Sequence, residues 1–387
     1  MHEVDIIRFI AELLVILLSA KLFGELAERL GQPAVLGELI GGVILGTGFL
    51  AFFHLNDPAL VLMSEVGVIL LLFETGIHCD LDQLLKAGPT ASAVATIGVV
   101  APFALGWGLM TALGHGGMQA VFVGAALTAT SVGITARVLS DMGKLHLPEA
   151  QIVLGAAVID DVMGIIILSA VQGIAISGAL QWGGVVKTIL LSAGFLAAAL
   201  WLGPHLSHAL VKIVHRMRVR GVLVGMAVCF AFAMALAAHA LGTAMIVGAF
   251  TAGILLARTD KKEDIDETIR PVVDVFAPVF FVMVGAKVDL SVFNPSTAEN
   301  RAVLGLAALL ILAAVAGKIV SALAVRDRKL NRWAVGFGMI PRGEVGLIFA
   351  QIGLTAGIVE PGLYAAVVAM VIVTTFLAPP LLKKSLS

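Results

Sequence analysis

The chain has 387 residues, of which 59% are hydrophobic and only 13% charged, with a formal net charge of −1 and a mean hydropathy of +1.04. A soluble protein carries roughly 25% charged residues, so this composition excludes a soluble enzyme and indicates an integral membrane protein. The near-zero net charge gives no sign of nucleic acid or a strongly acidic partner.

The first residues, "MHEVDIIRFI", contain acids, lack a basic region and are followed by no small-residue cleavage site, so they read as the first membrane span rather than a removed signal. A crossing needs about 20 mostly apolar residues to cover roughly 30 Å of hydrocarbon. That ruler predicts an all-α polytopic protein with about thirteen spans: 6–27, 33–54, 59–78, 88–114, 118–141, 149–173, 182–203, 221–240, 242–258, 271–290, 302–325, 332–357 and 361–382. Little more than "LGT" (241–243) divides the eighth from the ninth, which leaves the count of that pair open.

Lys and Arg collect in the loops after odd-numbered spans: Arg29, Lys86, Lys144, the Lys212–Arg220 group, Lys261, Lys262, Arg270, the Arg326–Arg332 group, Lys383 and Lys384. By the positive-inside rule the C-terminus is cytoplasmic and the N-terminus outside. Two connectors stand out. Residues 205–221, "HLSHALVKIVHRMRVRG", are basic and amphipathic and are expected to rest at the cytoplasmic interface, their histidines lacking the companions of a metal site. Residues 259–270, "TDKKEDIDETIR", are expected to form a polar loop. Cys79 and Cys229 match no ligand spacing and read as lone thiols.

Thirteen spans divide into six, a linker and six, and an odd offset of seven makes the second six inverted relative to the first. Inverted repeats are common in secondary transporters, whose binding sites lie near the midplane beside discontinuous helices. The corresponding interrupted helices are the fifth and the twelfth. The fifth carries "LTATSVGITAR" (127–137), with Thr128, Thr130, Ser131, Gly133 and Thr135 in mid-membrane; small hydroxyl residues also serve plain helix packing. The twelfth carries "GFGMIPRGEVG" (336–346). Pro341 cannot donate to the carbonyl of Phe337, Arg342 suits a half-helix C-terminus and Glu344 a half-helix N-terminus. Freed backbone at membrane depth is tolerated only inside protein or beside a wet cavity.

Few ionisable residues sit well inside the spans; Glu38, Glu65, Glu74, Asp160, Asp161, Asp274, Lys318, Arg342 and Glu344 stand out. A central charge costs at least ~2.5–3.5 kcal/mol, so each is a candidate functional group. Glu74 and Lys287 lie nearer span ends and are expected at the interface. Asp160 and Asp161, in "VIDDVMG" (158–164), sit mid-span. Adjacent helical residues point about 100° apart, so one aspartate can face a cavity while the other meets Lys318 of "AVAGKIVSA" (314–322). A structural salt bridge alone leaves the second aspartate unexplained. A carboxylate among hydroxyls and loose carbonyls suits a hard cation, and one site that takes either a cation or protons is an exchanger.

At "ILGTGFL" (44–50), "ATSVGITARVL" (129–139), "LGAAVIDDVMG" (154–164), "GAF" (248–250), "FAPVFFVMVG" (276–285), "GK" (317–318) and "PRGEVGLI" (341–348) the chain resembles the bacterial sodium/proton antiporters of the monovalent cation:proton antiporter-2 family, close to the NapA type. The resemblance implies thirteen helices, a homodimer in the bacterial inner membrane, and a core domain moving elevator-fashion against a dimerisation domain. It implies dimerisation-domain helices in 1–87 and 221–300, core-domain helices in 88–180 and 301–387, and a linker helix with cytoplasmic loop in 181–220. Mapped residue by residue, it makes Asp161 the main Na⁺ and proton carrier, pairs Asp160 with Lys318, and sets Thr130 and Ser131 at the helix crossing beside Asp161. The paired aspartates resemble electrogenic members. No cofactor is implied; the ions moved are Na⁺ or Li⁺, and H⁺. The chain stops at Ser387, so the nucleotide-binding domain of the potassium-efflux branch is expected to be absent.

The rival functions are a K⁺/H⁺ antiporter of the same fold, a sodium-coupled organic-anion symporter, and, from another class, a channel or non-transporting sensor. No metal-hydrolase or serine-nucleophile motif suggests an enzyme.

Overall fold

A computed structural model describes residues 6–46, 57–78, 81–177, 182–217, 219–286, 298–342 and 344–386. Among these residues the secondary structure is helical, apart from turns. In chain order the helices are α1 (Ile6–Arg29), α2 (Ala34–Leu45), α3 (Pro58–His78), α4 (Leu81–Ala112), α5 (Met118–Ala126), α6 (Val132–Asp141), α7 (Pro148–Ser177) and α8 (Trp182–Arg216). They continue with α9 (Val222–Ala240), α10 (Met245–Leu256), α11 (Lys262–Ala286), α12 (Ala298–Ser321), α13 (Arg332–Gly338), α14 (Glu344–Thr355) and α15 (Pro361–Leu386). Among the described residues, eight stretches are long and apolar enough to cross a membrane, and α2 and α10 are shorter apolar helices. Helices suit that solvent because each backbone donor and acceptor is satisfied within its own segment.

Two helices differ from the sequence expectation. The connector over 205–221 is not separate: α8 runs unbroken to Arg216, because its apolar residues keep helical spacing and Leu210, Val211 and Val214 are buried. The expected loop over 259–270 is mostly the first two turns of α11. Its Glu263 and Asp264 complement the positive end of the helix, and Asp266–Arg270 forms an i,i+4 pair at 3.3 Å. Lys287 lies outside the described residues, as does Cys79; Cys229 is a free thiol on an exposed face of α9.

The chain divides into two compact units. The first comprises residues 1–81, 136–146 and 192–290. Here α3 packs on α10 and α11, and α2 packs on α1 and α11. Glycines permit the contact: a Cβ on Gly76 would strike the Phe250 carbonyl and one on Gly253 the Phe73 carbonyl, while Gly42 and Gly285 meet Val282 and Leu39 in the same way. Lipid offers no hydrophobic force between helices, so close backbone approach is what holds them.

The second unit comprises residues 82–135, 147–191 and 291–387. Its core buries Phe122 of α5, Leu310 of α12, Phe349 of α14 and Met370 of α15. A second cluster joins Val94 of α4, Ile152 and Ala156 of α7, and Val335 beside Met339 at the end of α13. The start of α13 is tied down three ways. The Asn331 side chain accepts from the Ala334 N–H at 3.2 Å. Its backbone N–H donates to Glu149 at 2.8 Å, and its amide donates to the Ser385 carbonyl at 2.5 Å. That anchoring sets where the following break must fall.

Candidate ion-exchange site

The second unit holds two interruptions, between Ala126 and Val132 and between Gly338 and Glu344. Each frees backbone groups that need partners, and the two interruptions supply them to one another. In the second, Ile340 N–H turns to the Phe337 carbonyl at 3.2 Å, tightening the last turn before Pro341. The Gly338 carbonyl accepts from the Thr135 hydroxyl at 2.6 Å, and the Met339 carbonyl from the Thr130 hydroxyl at 3.5 Å. The Pro341 carbonyl accepts from Ser131 N–H at 2.9 Å. The Arg342 carbonyl accepts from the Thr375 hydroxyl on α15 at 2.7 Å.

In the first interruption, the Thr128 hydroxyl takes the Ala125 carbonyl at 2.7 Å. The guanidinium of Arg342, 1% exposed, serves what remains. It donates to the carbonyls of Ala129 at 2.9 Å, Thr128 at 3.4 Å and, on α12, Ala314 at 3.2 Å. A cation just past the C-terminal end of α5 meets the negative end of that half-helix, and the planar fork reaches several acceptors at once. Gly346 lets α14 approach this end closely, since its Cβ would lie 3.0 Å from the Ala126 carbonyl.

Against this meeting of breaks stands α7. Asp160 is 1% exposed and Lys318 of α12 is 0% exposed. One Asp160 oxygen accepts from the Lys318 ammonium at 3.2 Å and the other from Thr130 N–H at 2.8 Å. Thus the first aspartate is held by a buried cation and by the unwound strand together. Gly98 of α4 leaves the lysine room, its Cβ position lying 3.5 Å from Nζ. Asp161, one residue on, is only partly buried and bears electrostatically on the same ammonium.

The sequence-derived candidates Asp160, Asp161, Thr130, Ser131, Lys318, Pro341 and Arg342 therefore gather in one unit. Thr130 reaches Asp160 through its backbone, while its hydroxyl turns to Met339. Glu344 begins α14, but its side chain lies outside the described residues. Thr135, Thr375 and the Ala314 carbonyl also belong to the assembly. Nothing in their sequence surroundings marked Thr375 or Ala314, because their partners come from distant helices.

Glu38 and Glu74 belong to the first unit. Glu38 is buried 3.8 Å from Arg137, which also pairs with Asp141 at 3.0 Å. Near the end of α3, the Glu74 side chain is 7% exposed and lies 3.7 Å from Arg270. It faces α11 rather than the bilayer.

The chain is similar in sequence and fold to known proteins. The chain is 43% identical over 96% of its length to the high-affinity Na⁺/H⁺ antiporter NhaS3 of Synechocystis, covering 88% of that protein. It is 35% identical over 97% of its length to the Na⁺/H⁺-K⁺ antiporter GerN of Bacillus cereus, covering 96% of it. Its fold matches that of the sodium proton antiporter MjNhaP1 from Methanocaldococcus jannaschii, with a TM-score of 0.70 at 20% identity, over 99% of this chain and 95% of that one. Residues 14–384 match the family described as sodium/hydrogen exchanger, transmembrane. The broken helices, the buried acid–lysine pair and these likenesses converge: the chain belongs to the transmembrane sodium/hydrogen exchanger family.

Proposed function

We propose that this protein exchanges Na⁺ (or Li⁺) for H⁺ across a bacterial inner membrane, with Asp161 as the group for which cation and proton compete. The observation that carries this reading is the division of labour between adjacent aspartates. Asp160 is engaged by Lys318 and Thr130, and Asp161, the next residue, is only partly buried. Deprotonated, Asp161 is a hard oxygen ligand; protonated, it is neutral and releases the cation. The adjacent pair Asp160 and Asp161 supports electrogenic exchange, with more protons than sodium ions per cycle.

Alternating access follows from an elevator-like motion of the second unit, which carries these residues, with the first unit as scaffold and homodimer surface. The compactness of each unit supports it, as do the interruptions at the expected fifth and twelfth of thirteen spans, arranged as inverted repeats. Loop charges favour a cytoplasmic C-terminus and an external N-terminus. The lipid bilayer and a second copy are the partners, and no cofactor takes part.

In proteoliposomes holding a pH-sensitive dye, Na⁺ or Li⁺ dissipates an imposed proton gradient and K⁺ does so less well. Asp161→Asn abolishes the response while insertion and thermal unfolding persist. Full exchange by Asp161→Asn overturns the assignment of the carrier, equal response to K⁺ overturns the selectivity, and indifference to membrane potential overturns unequal coupling.

A further inference from the structure

Among the described residues, one set of metal-ligating side chains lies outside the candidate exchange site. In the first unit, Glu74 and His78 lie one turn apart on α3 and so share a face, and Asp266 of α11 stands opposite. One ligand atom from each lies within 4.8 Å of the other two. His78 Nε2 and Asp266 Oδ1 are 3.0 Å apart. Ligand atoms of a tetrahedral Zn²⁺ site, with bonds of about 2.0–2.2 Å, sit about 3.3 Å from one another. The pair is close to that spacing, and the Glu74 oxygen, within 4.8 Å of both, is the third ligand to be drawn in.

Two further features bear on it. His78 and Arg270 line a pocket of about 240 Å³ with Ser140, Gly143, Leu145 and His146, which gives an ion a way in and room for a water in the fourth position. Arg270 sets its guanidinium 3.7 Å from Glu74 and 3.3 Å from Asp266, where it competes with a metal for the same carboxylates. Its side chain is 58% exposed, so it can withdraw into water at little cost.

We propose that Glu74, His78 and Asp266 form a binding site for a borderline divalent metal ion of the Zn²⁺ class, one that joins α3 to α11 and displaces Arg270. The imidazole nitrogen favours such an ion over Ca²⁺ or Mg²⁺, which take oxygen ligands. The site belongs to the first unit and Asp160 and Asp161 to the second, and it does not depend on the exchange reaction proposed above.

The test titrates Zn²⁺ alone into the metal-stripped, detergent-solubilised full chain by calorimetry, with Co²⁺ absorption reporting coordination geometry. The expected result is one saturable site per chain with a tetrahedral Co²⁺ spectrum. His78→Gln and Asp266→Asn each weaken it at least about tenfold, at the level of outer-shell losses or beyond. Arg270→Gln, which removes the competing charge, tightens it by on the order of tenfold. No saturable binding, or binding that survives His78→Gln, overturns the site. Should His78→Gln fail to insert, Arg270→Gln decides: unchanged or weaker Zn²⁺ affinity rejects the competition on which the site rests.

Discussion

Removing the Asp160 charge should expose how much the buried pair holds. At 3.2 Å and an effective dielectric near 20, the attraction between Asp160 and Lys318 amounts to about 5 kcal/mol before desolvation is counted. Burial of both groups offsets much of that, so the pair itself stabilises little, whereas breaking it by deleting one partner typically costs about 3–5 kcal/mol. Asp160→Asn leaves Lys318, 0% exposed, without its carboxylate partner while retaining one oxygen for Thr130 N–H or the lysine. The single variant should therefore lose about 3 kcal/mol or more against chemical unfolding in micelles. Lys318→Met alone strands the carboxylate and loses a similar amount. The double variant Asp160→Asn/Lys318→Met should recover most of the loss, giving a coupling energy of about 2 kcal/mol or more, near the upper range for contacting residues. A double-mutant cycle measures it. If the single losses simply add, with coupling under about 0.5 kcal/mol, the two groups do not form a working ion pair and the account of Asp160 is wrong.

Two other outcomes follow from the packing. Arg342→Lys keeps the charge but not the fork that serves Thr128, Ala129 and Ala314. It should leave at least one buried carbonyl unsatisfied, costing about 1–3 kcal/mol, and thermal unfolding in micelles should show the loss; an unchanged midpoint argues that water serves those carbonyls equally well. Gly253→Ala should force α10 away from α3, because its Cβ would strike the Phe73 carbonyl. The overpacking should cost about 1–3 kcal/mol, read as a lower thermal unfolding midpoint in micelles, whereas unchanged stability means the two helices have room to spare.

Much of this protein was legible in its sequence. Composition alone demanded a membrane solvent, since a chain with 13% charged residues cannot cover itself with water-seeking groups; of the helices and closed barrels that lipid allows, apolar runs of about 20 residues select helices. Pro341 with its flanking glycines announced a break because a missing N–H is a local property. Asp160, Asp161, Lys318 and Arg342 declared themselves because a charge inside an apolar run is costly wherever the helix goes.

What sequence periodicity misjudged was continuity: α8 runs through the basic connector and α11 begins in the supposed loop. Polar residues at helical spacing satisfy their backbone as well as apolar ones do, and tertiary packing decides the boundary. The tertiary structure alone decided the partnerships. That Thr130 would offer its N–H to Asp160, that Arg342 would serve carbonyls of α12 as well as of the other break, and that Glu74 would turn inward to Arg270 each depend on helices far apart in the chain. Burial costs are local and can be read along a sequence; the hydrogen bonds and ion pairs that offset them are made across space, where only the fold brings donor and acceptor within reach.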